Sequence, residues 1–292
     1  MRGRTVVVTG ASSGLGLASA TALAQAGAAV VLACRDADRA RQSQTTVREA
    51  APGADVSTVT LDLADLASVR ACAQELLARL EGLDVLLNNA GVMMPPQRLE
   101  TVDGFELQMG TNHLGHFALT GLLLPLLQST ASSRVVTVSS LAARQGRIDL
   151  GDLMAERSYS PSPTYGASKL ANLLFTLELQ RRLQAAGSTT VAVAAHPGVS
   201  ATNLMSTMQL NGVITRAAGL LMQGATAGAR PQLHAATAVG VTGGDYYGPK
   251  GMGELRGRRV DHASLPPAAL DTVTATGMWE RSEQVTGVVH PV

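Results

Sequence analysis

Short apolar runs alternate with helical patterns along this chain, and that rhythm limits the fold more sharply than any other feature. "RTVVVT" (4–9) is β-branched and is followed at once by Gly and Ser, then by an Ala/Leu-rich helical pattern to Ala26. "AAVVLAC" (28–34) repeats the strand signal before a polar-faced helix over 37–50, and "DVSTVTLDL" (55–63) precedes a helix over 65–80. "LDVLLNNAG" (83–91) leads to a long helix over 104–128, and "SRVVTVSS" (133–140) to a helix over 163–186. "STTVAVAAHPG" (188–198) is a sixth strand. Continuous apolar strands followed by helices belong to a parallel sheet covered on both faces. Right-handed crossovers make it a doubly wound α/β sheet, whose ligands bind at the carboxyl ends of the strands.

Residues 200–230 break the rhythm and are expected to form a helical lid over a site. "GGDYYGPKG" (243–251) predicts a last strand and turn, followed by a helix around 267–284. The expectation is therefore about seven strands with helices on both faces, in a single domain spanning 1–292, with a C-terminal strand and helix over about 243–290. No linker, repeat or low-complexity tract marks a second domain.

Composition narrows the function. Lys+Arg number 23 against 22 Asp+Glu, a net charge of +1, so no nucleic-acid surface is expected. Cys34 and Cys72 sit in apolar segments without paired spacing and are expected to be reduced core thiols, as in a cytoplasmic chain. The apolar run behind the basic N-terminus is only Val6 to Val8, too short for a signal peptide. No window approaches the roughly 18–20 apolar residues of a membrane span.

"TGASSGLG" (9–16) joins the first strand to the first helix, the context that a glycine-rich dinucleotide loop requires. Gly10 allows the turn, Gly14 lets backbone approach phosphate, and Gly16 lets helix pack on strand. Ser12, Ser13 and Leu15 complete the loop, and the helix N-terminus offers N–H groups to the pyrophosphate. At the end of strand two Cys34 stands where an acid for the ribose hydroxyls is usual, with Arg35 next. An arginine there suits a 2′-phosphate, which favours NADP(H) and leaves NAD(H) as the alternative. Two other readings stay open: a solvated Arg35 paired with Asp36 or Asp38, and Asp36 itself reaching a ribose. Asp62 would accept from an adenine amino group, with Leu63 beside it. Asn89, Ala90 and Gly91 would border the cofactor, unless Asn88 and Asn89 only cap the strand end.

"TYGASKLAN" (164–172) spaces Tyr165 and Lys169 one helical turn apart, on one face. Together "TGASSGLG", "NNAG", "SS" after strand five and "YGASK" resemble the short-chain dehydrogenase/reductase family, over nearly the whole chain and in the family's order. "TVDGFELQMGTNHLGHFALTGLLLPLL" (101–127), "YGASKLANLLFTLELQRRL" (165–183), "HPGVSATNL" (196–204) and "SEQVTGV" (282–288) resemble its retinol-dehydrogenase-like branch. The resemblance implies a Rossmann fold and an oxidoreductase that interconverts an alcohol and an aldehyde or ketone. It implies Tyr165 as the acid–base residue. Lys169 would bind the nicotinamide ribose, and its charge, with that of an oxidised nicotinamide, would lower a phenol pKa that is ordinarily about 10. Ser139 would hydrogen-bond the substrate oxygen, with Leu141 also at the substrate. Strand alternation points only one of Ser139 and Ser140 inward, and the family pattern selects Ser139. Asn112 would hold a water in a proton relay to the lysine. Pro197 and Gly198 would turn the chain around the nicotinamide, where Val199 and Thr202 would contact its carboxamide. Gly166 and Ala167 would keep bulk away from it.

His113, His116 and His196 are read as structural. Tyr165 follows Ser139 by 26 positions, and the resemblance places the intervening "RQGRIDLGDLMAERSYSPSP" in a loop beside the active-site mouth, against one helix-pairing interface. Oligomeric state therefore stays open. Met205, Met208, Leu210, Leu220, Leu221 and Met222 suit either an apolar substrate or lid-to-core packing. The N-terminal anchor common in animal members of the branch is not expected here. Two other functions are to be weighed: a sensor that binds NADP without chemistry, and an epimerase or dehydratase that retains NAD(P). The second generally needs a larger C-terminal domain than the roughly 90 residues after strand six.

Overall fold

The structure, a computed structural model, describes residues 1–199 and 224–292. Strands β1 (Thr5–Thr9), β2 (Ala29–Cys34), β3 (Val56–Thr60), β4 (Val85–Asn88), β5 (Arg134–Val138) and β6 (Val191–Ala195) correspond to the six expected runs. They join β7 (Tyr246–Lys250) and β8 (Arg259–His262) in one sheet of order β3-β2-β1-β4-β5-β6-β7-β8. All pairings are parallel except β7 with β8. The order reverses at β1, between β2 and β4, which opens a crevice at the carboxyl ends of these strands.

Strand alternation divides the core in two. Val7 joins the side built with α3 (Leu66–Arg79), α5 (Gly115–Gln128), α6 (Pro161–Ala185) and the C-terminal helix, through Leu76, Leu123, Leu179 and Trp279. Val6 and Val8 join the other side, against Ala20 and Leu23 of α1 (Gly14–Gln25) and Val47 of α2 (Ala37–Ala50). Both faces are covered, so the strands are apolar throughout rather than alternating. Aspartates start three of these helices: Asp36 accepts from the N–H groups of Asp38 and Arg39, Asp65 from those of Ala67 and Ser68, and Asp271, before the C-terminal helix, from those of Val273 and Thr274.

The expected long helix over 104–128 is broken. A short turn, α4 (Leu107–Met109), runs into a π-helical stretch, Gly110–Leu114, before α5 begins. Within that stretch Asn112 bonds outward to Val92, as described below. The sheet has eight strands rather than about seven, because β8 ("RVDH") is a polar antiparallel edge with no apolar run to announce it. Of the expected lid, residues 200–223 lie outside the described residues; Met205, Met208, Leu210, Leu220, Leu221 and Met222 fall there, as does Thr202. The rest is α7 (Ala225–Gly228), followed by α8 (Arg230–Thr237). Helix α8 is the crossover that the parallel β6–β7 pair requires, and it buries Ala235 and Ala236 in the core. Arg134 fixes its end by donating to the Ala235 and Ala238 carbonyls, each at 2.9 Å. The chain closes with α9 (Thr272–Thr286).

Cys34 and Cys72 are free and buried, as expected. No helix among the described residues is long and apolar enough to cross a membrane.

Candidate active site

The crevice is organised by the last residue of β1. Thr9 Oγ1 accepts the N–H groups of Asn89 at 2.9 Å and Ala90 at 3.0 Å, and lies 2.9 Å from His116 Nε2. His116 Nδ1 faces the Asn112 carbonyl oxygen at 3.0 Å, so Nδ1 carries the proton and Nε2 accepts from the Thr9 hydroxyl. Burial pushes the His116 pKa down to about 4, which keeps this neutral tautomer. His113 is likewise buried, pushed down to about 3, with Nε2 2.9 Å from Ser282 Oγ. Both are structural, as their sequence context suggests.

Asn88 and Asn89 turn their amides into the protein. Asn88 Nδ2 donates to Thr120 Oγ1 at 3.0 Å, and Asn89 Nδ2 to the Thr9 carbonyl at 2.8 Å. Asn89 Oδ1 accepts from Gln232 Nε2 at 3.0 Å, and Gln232 also reaches Ser19 Oγ at 2.7 Å. Gln232 was not foreseen; it ties α8 to α1 and to the loop after β4. Asn89 is part of the cavity wall, but its amide is already committed.

These loops bound a cavity of about 340 Å³. Gly10, Ser12, Ser13, Gly14, Leu15 and Gly16 form one side. Gly10 has φ 64°, and a Cβ on Gly16 would overlap the Gly10 carbonyl oxygen and lie 2.6 Å from Asn89 Nδ2. Ser13 occupies the N-cap position of α1 without using its hydroxyl, so the helix N-terminus faces the cavity with unspent N–H groups. Asp62, Leu63, Ala90 and Gly91 line the far side, as expected. Asp62 gives one oxygen to the Ala64 N–H at 3.0 Å. Arg35 lines the wall beside β2, and Arg39, which was not foreseen, joins it. Asp36 lines the same cavity: its Oδ1 caps α2, the N–H groups of Arg39 and Asp38 and the charges of Arg39 and Arg35 lower its carboxyl pKa, and Asp38 pairs with Arg41. Thr111, also unforeseen, lines the cavity with a buried Oγ1 that has no protein partner. Glycines that leave no room for Cβ atoms, an exposed helix N-terminus, two arginines and an orphaned hydroxyl fit a dinucleotide.

Helix α6 opens on Pro161 at its first turn and carries Tyr165 and Lys169 inward. Both are buried, 6% and 4% exposed. Lys169 Nζ donates to the Val138 carbonyl at 3.1 Å and stands 5.9 Å from the Tyr165 ring centre. A Cβ on Gly91 would lie 3.5 Å from Nζ, so the ammonium borders the dinucleotide cavity. Burial lowers the Lys169 pKa to about 8. For Tyr165 the shift among the protein's own groups runs opposite to the expected lowering: burial raises the phenol, and the group opposing that rise is the side chain of Ser140 rather than the ammonium.

That neighbour sets the two serines apart. Ser139 is 2% exposed, and its hydroxyl donates to the Lys169 carbonyl at 2.7 Å. Burial raises the neighbouring Tyr246 phenol, and the Ser139 side chain is the first group to oppose that rise. The Ser139 proton is therefore spent inside the protein. Ser140 is half-buried; its Oγ accepts the Ala142 N–H at 3.2 Å, which leaves its own proton to give. Strand β5 ends at Val138 and the chain turns into a 3₁₀ stretch, Leu141–Gln145, so it is the residue capping that turn which faces Tyr165. Leu141 follows it directly.

Asn112 lies where three segments meet. It has no exposed surface; Oδ1 accepts the Val92 N–H at 2.8 Å, while Nδ2 donates to the Val92 carbonyl at 3.0 Å and to Ser168 Oγ at 2.9 Å. Its amide braces the loop after β4 against α6, and Oδ1 keeps a second lone pair for a further donor such as the expected water. Gly166 has a different use from the one expected: a Cβ there would meet the Ala142 carbonyl at 3.0 Å, so its absence seats the serine segment on α6. Beyond β6, Gly198 turns with φ 68°, and Val199 is 36% exposed at the edge of the described residues. His196 is fully buried with both ring nitrogens bonded. No group of three or more His, Cys, Asp or Glu among the described residues is arranged to hold a metal.

Known proteins resemble this chain in sequence and fold. The model of the family described as short chain dehydrogenase matches residues 4–211. Human retinol dehydrogenase 14 is 41% identical over 308 residues, covering 99% of this chain and 88% of that protein. Human retinol dehydrogenase 12 is 40% identical over 288 residues, covering 98% and 87%. Among solved structures, a putative uncharacterized protein from Mycobacterium paratuberculosis superposes with a TM-score of 0.83 at 45% identity, over 100% of this chain and 96% of that one. RhlG of Pseudomonas aeruginosa, solved as an NADP active-site complex, gives 0.68 at 27% identity, over 84% and 94%. With its fold, glycine loop and Tyr–Lys turn all accounted for, the chain belongs to the retinol-dehydrogenase-like branch of the short-chain dehydrogenase/reductase family and is an NAD(P)-dependent oxidoreductase of CH–OH groups.

Proposed function

We propose that the protein uses NADP(H) to interconvert an apolar alcohol with its aldehyde or ketone, with Tyr165 as the acid–base residue. The observation that carries this reading is a single juxtaposition. Lys169 Nζ, one turn from Tyr165, borders the Gly91 side of a cavity whose β2 side holds Arg35 and Arg39. Arginine forks suit a 2′-phosphate, and Thr111 Oγ1 and the α1 N-terminus suit the rest of a dinucleotide. When bound, the nicotinamide supplies or accepts the hydride.

The protein's own groups do the rest. Ser140, its lone pair engaged by Ala142, directs its proton at the substrate oxygen and holds that oxygen by Tyr165. During reduction the Tyr165 hydroxyl gives its proton to the oxygen; during oxidation the phenolate takes it back. Burial makes the phenol a reluctant acid, so a nearby positive charge is needed to favour phenolate, and Lys169 provides it while protonated. Ser139 and Asn112 position rather than react: one fixes the Lys169 main chain, the other braces α6 against Val92. Apolar substrate character is supported by the methionines and leucines between 205 and 222 and by the retinol dehydrogenase relatives.

The test is an absorbance screen of aldehydes, ketones and alcohols with NADPH/NADP and NADH/NAD in parallel, repeated on Tyr165→Phe. Turnover with NADP(H) preferred, lost in Tyr165→Phe with dinucleotide binding kept, is the expected result. Full activity in that variant ends the proposal.

A further inference from the structure

Glu254 lies outside the cavity, yet three segments converge on it. Its Oε2 accepts from His196 Nε2 at 2.9 Å and from Arg144 Nη2 at 2.7 Å, while Oε1 accepts the Ser264 N–H at 3.1 Å. His196 Nδ1 accepts the Gly198 N–H at 3.2 Å, so Nε2 carries the proton that Glu254 receives. The ring fills its slot: a Cβ on Gly248 would overlap it. One residue beyond Gly198, the Val199 N–H donates to the Leu255 carbonyl at 2.8 Å. Arg144 belongs to the 3₁₀ stretch that Ser140 caps.

The backbone at this point is unusual. Glu254 has φ 59°, directly after Gly253 at 63°. A left-handed conformation is unfavourable for a residue with a Cβ, and it persists where the surroundings over-determine it. Glycine would adopt it freely, so the glutamate is there for its side chain. One carboxylate oxygen serving an arginine and an imidazole N–H is a task that an amide, with one neutral acceptor, performs poorly.

We infer that Glu254 is a positioning residue for the reaction. Through Arg144 it holds the segment bearing Ser140, and through His196 it holds the Pro197–Gly198 turn, so the two walls of the substrate site keep a fixed separation. This rests on the proposed role of Ser140 and on the expected placing of the nicotinamide at that turn.

Hydrogen exchange on the full-length protein reads the clamp without turnover. Glu254→Gln removes the charge at constant size, and Glu254→Gly removes the side chain while suiting the backbone, which keeps the fold. Both should speed exchange in peptides covering 139–146 and 196–199 by roughly tenfold and leave β1 and β2 unchanged. In NADPH-dependent reduction of decanal, or of the fastest aldehyde from the screen, Glu254→Gln should lower kcat about tenfold with the NADPH Kd unaltered. Arg144→Met should act alike, and the double variant should be no slower than either single one. Unchanged exchange in both segments overturns the inference, as does a multiplicative loss in the double variant. A wild-type protein that reduces no carbonyl overturns the proposed function and the catalytic half of this inference, while exchange still decides whether the clamp exists.

Discussion

Ser139 donates its hydroxyl proton to the main-chain carbonyl of Lys169 across 2.7 Å, and the buried Tyr246 phenol is its neighbour. A serine so placed has no proton for a substrate. Ser139→Ala should therefore cost about 1–2 kcal/mol of stability by removing the buried hydrogen bond to the Lys169 carbonyl. Its kcat should fall by less than about tenfold. Ser140→Ala should lower kcat by roughly 10²- to 10³-fold, the scale for losing one donor to a reacting oxygen, while losing the cap to Ala142 should cost no more than about 1 kcal/mol. Steady-state kinetics and thermal melts on both variants check this, and the reverse pattern would return the role to Ser139.

What the sequence made legible and what it hid differ in physical kind. The glycine loop and the Tyr165–Lys169 turn are visible because each needs particular residue types at fixed spacing along one element. The choice between Ser139 and Ser140 is not, because it depends on where β5 stops and which neighbour spends each hydroxyl. The bracing bonds of Asn112 were hidden as well, because their partner, Val92, is 20 residues away. Strand β8 is a polar edge whose pairing is set by Tyr247 to Lys250 rather than by its own composition. Arg39 and Gln232 carry no local signal; only the fold brings one to the cavity and the other to Asn89.

Arg35 and Arg39 should set the cofactor preference. Arg35→Ser should weaken NADPH binding by roughly ten- to a hundredfold, as expected when a charged hydrogen-bonding partner of a phosphate is removed. NADH binding should change by no more than about twofold, since it lacks that phosphate. Arg39→Ser should do the same more weakly. Fluorescence titrations at one fixed ionic strength decide it. Equal weakening of both dinucleotides would sink the assignment.

Gly16→Ala tests the loop itself. The added methyl overlaps both the Gly10 carbonyl oxygen and Asn89 Nδ2, and Asn89 is held in turn by Thr9 and Gln232. A small-to-large change in so tight a place should cost about 1–3 kcal/mol of stability. The loop would also lose its shape for phosphate. Saturating NADPH should raise the wild-type melting temperature and leave that of the variant nearly unmoved. An equal rise in both would show that the loop tolerates a side chain.

Lys169 should make dinucleotide affinity depend on pH. Burial lowers its pKa from 10.5 to about 8, so the free protein carries the ammonium below about pH 8 and loses it above. In the unfolded chain the same lysine stays protonated up to its ordinary value. Between these two values the unfolded state binds more protons, so this group's contribution to stability rises with pH across that window and is constant below it. Affinity moves the other way: where the ammonium is the form that binds the ribose, the NADPH Kd should rise as pH passes about 8, by up to about tenfold per unit. Lys169→Met should bind weakly throughout and show no inflection. An inflection that survives in Lys169→Met belongs to another group, and would take the ribose contact away from this lysine.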